Sequence, residues 1–184
     1  MKRLGLILFG AVFQLVILTS AADAQTGATA SQTIQLQLQP VISLSFSNSQ
    51  SNNGAPVLMD FSTPASFQDG VVSGTQELKI RSNKTFMVTV NTDAGVLSGS
   101  GAGAPAMPVA NTLFLTVEDH NTGGTINQAF SKNYNTLSQV PQELVANGQL
   151  GEDQRLVLAY KAKPGFGYPA GQYAVGVVYT ATLP

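Results

Sequence analysis

The sequence predicts an all-β protein, a single immunoglobulin-like antiparallel β-sandwich, and three observations carry that expectation. Apolar and polar residues alternate in several short runs, most strictly over residues 33–46 and 172–183, and a period of two is extended chain with one buried face. Beyond the first two dozen residues, no run sets apolar side chains at i, i+3, i+4 and i+7 over a helical length. Gly, Pro and Asn punctuate the runs at intervals of about 8–15 residues, which suits a sandwich of short strands.

The N-terminus reads differently. Met1-Lys2-Arg3 is a short basic start, Leu4 to Leu18 is apolar apart from Gly5, Gly10 and Gln14, and Ala22-Asp23-Ala24 follows as a small-x-small pattern. That order predicts a secretory signal peptide over residues 1–24. The apolar run is shorter than the roughly 20 residues of a spanning helix, so no membrane span is expected after cleavage. The absence of Cys excludes a lipid anchor on a Cys at the cleavage point. The mature chain, residues 25–184, is long enough for one domain that buries roughly 70% of its unfolded surface. Residues 25–32 (QTGATASQ) read as a flexible tail and residues 33–184 as the sandwich domain.

From Thr33, Ile34, Leu36, Leu38, Ile42, Leu44 and Phe46 keep one parity, with Gln35, Gln37, Gln39, Ser43 and Ser45 between them. The run predicts a first strand with one buried face. Pro40 cannot donate to a ladder and belongs at an edge, a bulge or a switch between sheets. Ser47–Pro56 is a loop with Asn53-Gly54, and Val57–Phe61 is a candidate short strand. Leu78 and Ile80, then Phe86, Val88 and Val90, predict two strands joined by a tight turn at Ser82-Asn83-Lys84. Residues 95–108, rich in Gly, Ala and Pro, predict a long surface loop. Leu113, Leu115 and Val117 mark the next strand, which ends at Glu118-Asp119-His120 before a turn at 121–124. Thr125–Phe130 is a weak strand, and Leu137–Leu150 is ambiguous, with a turn at Asn147-Gly148. Leu156, Leu158 and Tyr160 alternate. The last strand carries Tyr173, Val175, Val177, Tyr179, Ala181 and Leu183 on one face.

Few groups are available for chemistry. Having no Cys excludes disulfides, structural Cys–zinc sites and thiol catalysis. A net charge of −1 with no basic patch argues against a nucleic-acid partner. Glu118 and the single His120 would share a strand face and could touch one metal, but two ligands are not a site. A Ser–His–Asp arrangement could be built only around His120, and no Gly-x-Ser-x-Gly elbow is present. The carboxylates Asp60, Asp69, Glu77, Glu143, Glu152 and Asp153 lie in turns or beside basic residues, which suits solvated loops better than a glycosidase pair. Gly99, Gly101 and Gly103 lack the helix and the Lys-Ser/Thr of a phosphate loop. Asn83-Lys84-Thr85 matches a glycosylation acceptor. No catalytic, metal or cofactor residue is expected, and no cofactor. Phe166 and Tyr168, in a Gly/Pro-rich connector, are candidate glycan contacts; their other reading is an apolar plug over the end of the sandwich.

Three stretches carry a resemblance: residues 168–182, from Tyr168-Pro169-Ala170-Gly171-Gln172-Tyr173 to Val178-Tyr179-Thr180-Ala181-Thr182; residues 82–90, Ser82-Asn83-Lys84-Thr85-Phe86-Met87-Val88-Thr89-Val90; and the first strand. Together they resemble exported bacterial surface β-sandwiches, the spore-coat-U-like and fimbrial-subunit-like domains and, more distantly, WxL-type surface domains. The chain has neither the Trp motifs of the WxL type nor the Cys pair of many spore-coat-U-like subunits, and no functional residue carries over. The resemblance implies a non-catalytic exported structural protein of the cell surface, fimbria-like in its association. In such polymers an N-terminal strand pairs with the sheet edge of the next subunit. Ile34, Leu36 and Leu38 would be the exchanged residues, unless the same strand closes its own sandwich. The alternative is a module that binds a cell-surface or cell-wall polysaccharide. Expected partners are other copies through sheet edges, other envelope proteins or a polysaccharide, in the periplasm, at the cell surface or outside the cell.

Overall fold

The alternating runs become strands that close on one apolar core. The computed structural model describes residues 28–47, 52–100 and 104–184; the expected signal peptide and the first three residues of the tail lie outside them. The described strands are β1 (Ile42–Phe46), β2 (Val71–Val72), β3 (Gln76–Ser82), β4 (Phe86–Thr92), β5 (Val96–Gly99), β6 (Met107–Pro108), β7 (Leu113–His120), β8 (Thr125–Ile126), β9 (Asn135–Thr136), β10 (Gln142–Gly148), β11 (Gly151–Ala162), β12 (Tyr173–Ala174) and β13 (Val177–Thr182). One helical turn and a half, α1 (Pro64–Asp69), precedes β2. No helix among the described residues is long and apolar enough to cross a membrane.

The strands form an all-β sandwich of antiparallel sheets. One sheet runs β1-β3-β11-β7-β9, with β2 also paired to β11, and the other runs β13-β4-β10-β8. Between them lies a continuous core that includes Leu78, Ile80, Leu115, Leu156 and Leu158 from the first sheet and Phe86, Val88, Val90 and Leu144 from the second. A small third sheet, β12-β5-β6, flanks these two. These sheets belong to the compact unit Leu38–Pro184, one of two into which the chain divides.

Three local outcomes differ from the sequence expectations or go beyond them. β3 and β4 have the predicted parity and the predicted tight turn, and what the sequence reading left unstated is that this turn carries the chain from one sheet to the other. Ser82, buried at that corner, fixes it by donating to the Lys84 carbonyl at 2.7 Å and accepting from the Lys84 amide at 3.2 Å. The Gly/Ala-rich stretch is not simply a surface loop. β5 and β6 pair there, and Met107 and Val109 are buried. The turn α1 has no apolar periodicity, being too short for one, and forms through its cap. The Thr63 hydroxyl accepts from the Ser66 amide, the Ser66 hydroxyl accepts from the Thr63 amide, and Pro64 presets the first helical residue.

The fourth difference is the largest. Only residues 42–46 of the first alternating run form a strand. Residues 33–41 carry no regular structure, and Ile34, Leu36 and Leu38 are 80%, 81% and 84% exposed. The face that the sequence predicts as buried is therefore exposed over that half of the run.

Candidate functional site

Among the described residues, β1 and β13 are each bonded on one side only, β1 to β3 and β13 to β4. They lie on the same side of the sandwich, where the Phe46 ring meets the Tyr179 ring edge-on at a centroid distance of 6.0 Å. Their inward residues, Ile42, Leu44 and Phe46 on β1 and Val177, Tyr179 and Ala181 on β13, pack against the core but stay only half-buried. Inward residues of β3 and β4, one strand further in, are fully buried. Among the described residues, no strand closes the seam between these two edges.

Neither strand defends its edge. β1 reads ISLSF and β13 reads VVYTAT, without a charged residue or a proline. Exposed edges in monomeric proteins are usually blunted by Lys, Pro or bulges, because their free N–H and C=O groups template pairing with another strand.

Two cavities open along the seam. The larger, of about 470 Å³, is lined by Phe46, the stretch 52–59, Leu97, Tyr160, Tyr173 and Ala174–Val177. The smaller, of about 160 Å³, lies beside Leu44, Phe46, Leu78, Val177 and Tyr179. Tyr160 is buried, and its hydroxyl meets that of Tyr179 at 2.7 Å. Burial raises the Tyr160 hydroxyl above its ordinary pKa. It raises Tyr179 well above, with the adjoining Tyr160 adding to the effect. Both stay protonated in the fold, whereas the unfolded chain releases these protons near pH 10. The pair thus contributes stability that is complete below about pH 10 and is lost as pH rises through the folded values. Urea titrations between pH 8 and 11 will show that fall. Tyr160→Phe, which leaves the Tyr179 hydroxyl without its partner, will cost about 1–2 kcal/mol. The double change Tyr160→Phe/Tyr179→Phe will cost less than the two single costs combined.

At the start of β1 the chain is clamped. The Asn83 side-chain amide donates to the Gln39 carbonyl at 2.7 Å, its oxygen accepts from the Val41 amide at 2.8 Å, and its own backbone N–H donates to the Val41 carbonyl at 3.2 Å. These bonds bracket Pro40, which has no N–H to offer. The same side chain belongs to the glycosylation-type triplet, and here both of its polar atoms are engaged within the fold. Asn83→Ala will cost about 1–3 kcal/mol, two hydrogen bonds at about 0.5–1.5 kcal/mol each. Hydrogen exchange will report it as faster opening of β1.

The other sequence candidates fall elsewhere. Phe166, 69% exposed, stacks on Phe67 of α1 at 5.3 Å, and Phe67 packs on Phe61 at 5.5 Å. Tyr168 instead meets Tyr173 edge-on at 6.3 Å, and no ring contact links it to Phe166. Glu118, Asp119 and His120 are exposed at the end of β7. There Asp119 pairs with Arg155 at 3.4 Å, and His120 Nδ1 lies 3.2 Å from the Thr122 hydroxyl. Among the described residues no three His, Asp or Glu side chains gather where a metal could be held.

Sequence reasoning named the exposed aliphatics but missed the seam between β1 and β13. Its signal was present: the first and last strands have the same uncharged alternation. No protein-family model matches the chain, and no curated protein matches it at a significant level.

Proposed function

We propose that the protein is a non-catalytic, exported structural subunit of the cell surface, fimbria-like in that each copy lends the segment Thr33–Gln39 to the open seam of another. The observation that carries this reading is the exposure of Ile34, Leu36 and Leu38 together with two uncharged edges bonded on one side only. A strand added to an edge gains main-chain hydrogen bonds, and its alternate side chains enter pockets. Three large aliphatics at i, i+2 and i+4 suit the cavities along the seam, and Gln35 and Gln37 would face water. Each aliphatic moved from water to an apolar site contributes about 1.5–3 kcal/mol. The signal-peptide pattern at residues 1–24 supports export.

Deleting residues 25–39 from the mature chain tests this. The expected product folds, with a thermal transition lowered by no more than the few degrees that loss of the Asn83–Gln39 bond costs, and stays monomeric at concentrations where the parent associates. A product that no longer folds would show instead that the segment completes its own domain. The polysaccharide alternative draws support from the exposed Phe166, and affinity electrophoresis of Phe166→Ala beside the parent tests it. A glycan that retards the parent and not the variant favours it, and equal mobility throughout removes it.

A further inference from the structure

Ala55–Phe61 repeats, inside the domain, the pattern of Ile34–Leu38. Val57, Met59 and Phe61 stand at i, i+2 and i+4 and pack half-buried against the core, whereas Leu58 between them is 90% exposed. That alternation belongs to a strand. Yet no strand forms, and no backbone group of Ala55–Phe61 hydrogen-bonds to another described residue. Chain that covers a core normally pairs its N–H and C=O groups in a ladder. This stretch is held by side chains alone, which places it at the low end of local stability. Its residues 55–59 line the larger cavity together with Val175 and with Val177 at the start of β13, whose outer edge is unpaired among the described residues.

Building on the strand-lending reading, we propose that Ala55–Phe61 is a placeholder, filling within each copy the space that Thr33–Gln39 of a second copy takes on assembly. The two segments offer the same spacing of three large apolar side chains, Val-x-Met-x-Phe in the resident and Ile-x-Leu-x-Leu in the incomer. They differ in what the backbone can do. The resident makes no ladder and contains Pro56, which has no N–H. The incomer has no proline before Pro40 and can bond along the edge of β13. Exchange therefore replaces one apolar set by another and adds main-chain hydrogen bonds, which sets its direction. Until a second copy arrives, the resident keeps the core covered, so that a free subunit does not present an empty apolar cleft.

The test uses the parent protein from Gln25 and a fluorescent synthetic peptide with the sequence of residues 33–39. Peptide binding is followed by anisotropy, and oxidation of each methionine by dilute hydrogen peroxide is followed by mass spectrometry. Binding is expected to speed oxidation of Met59 severalfold, as it leaves the cavity, and to leave the buried Met107 unchanged. A Val57→Ser/Phe61→Ser variant is expected to bind peptide at least tenfold faster, and the oxidation readout on the parent stands even if that variant folds poorly. Bound peptide with Met59 unchanged or better protected would overturn the placeholder and leave strand lending in place. Failure of the peptide to bind, in a protein that also does not self-associate, would overturn both.

Discussion

Replacing Leu36 by Asp will abolish association of the mature chain while leaving its thermal transition within about 2 °C of the parent. Leu36 is 81% exposed, and substitutions at such positions change stability by only about 0.5 kcal/mol. In the assembled state the same position would be enclosed. The variant then loses about 1.5–3 kcal/mol of apolar burial and carries a carboxylate whose desolvation costs several kcal/mol more. Together these weaken association by at least about a thousandfold, since each 1.4 kcal/mol is a factor of ten. Gln35→Asp, one residue away on the opposite face, is the matched control and will change association little. A calorimetric scan and a light-scattering titration on both variants check the prediction. A fall in the transition temperature for Leu36→Asp of the size seen for core substitutions would place the segment inside its own domain.

The second large effect lies in the core. Phe86 is buried at the start of β4, and its ring fills the space beside Gly148 at the end of β10, where an added Cβ would lie 2.5 Å from two ring atoms. Phe86→Ala will cost about 3–5 kcal/mol through lost burial and the cavity left behind. In a domain of this size that lowers the transition by roughly 10 °C. Gly148→Ala will cost about 1–3 kcal/mol by overpacking. The double change Phe86→Leu/Gly148→Ala will cost less than its two single changes combined, because the smaller side chain at 86 frees the volume that the new methyl needs. Urea unfolding of the four proteins measures this. Strict additivity would mean that the two positions do not share that space.

The parity of the runs made the interior legible. Leu78, Ile80, Phe86, Val88, Val90, Leu115, Leu156 and Leu158 were all readable as inward residues, because a side-chain period of two follows from strand geometry whatever the sheet. Which sheet a strand joins is a different matter. The corner at Ser82-Asn83-Lys84 looks like a hairpin turn in sequence, and only the Ser82–Lys84 bonds and the Asn83 clamp make it a crossing between layers. Residues 33–46 show a second limit. Alternation states that one face wants burial and says nothing about whether the covering surface lies in the same molecule, so Ile34 and Ile42 look alike in sequence and differ in the structure. Met107 and Val109 were hidden by their Gly/Ala/Pro surroundings, although two large apolar residues at i and i+2 marked a short paired stretch. The turn α1 was signalled only by Thr63-Pro64 with Ser66 two residues on, a capping pattern with no apolar periodicity behind it. For the aromatic candidates, the exposed position of Phe166 was readable from its connector. Its stacking partner Phe67 was not, since that contact joins segments a hundred residues apart.

The central claim is that the alternating segment at the start of the mature chain finds its partner surface in another copy. The molar mass of the protein from Gln25, measured by size exclusion with light scattering over a hundredfold range of concentration, tests it most directly. The account predicts a ladder of multiples of the subunit mass that grows with concentration and collapses to one species when Leu36 is Asp. A single monomer peak across the whole range, unchanged by that substitution, would contradict it.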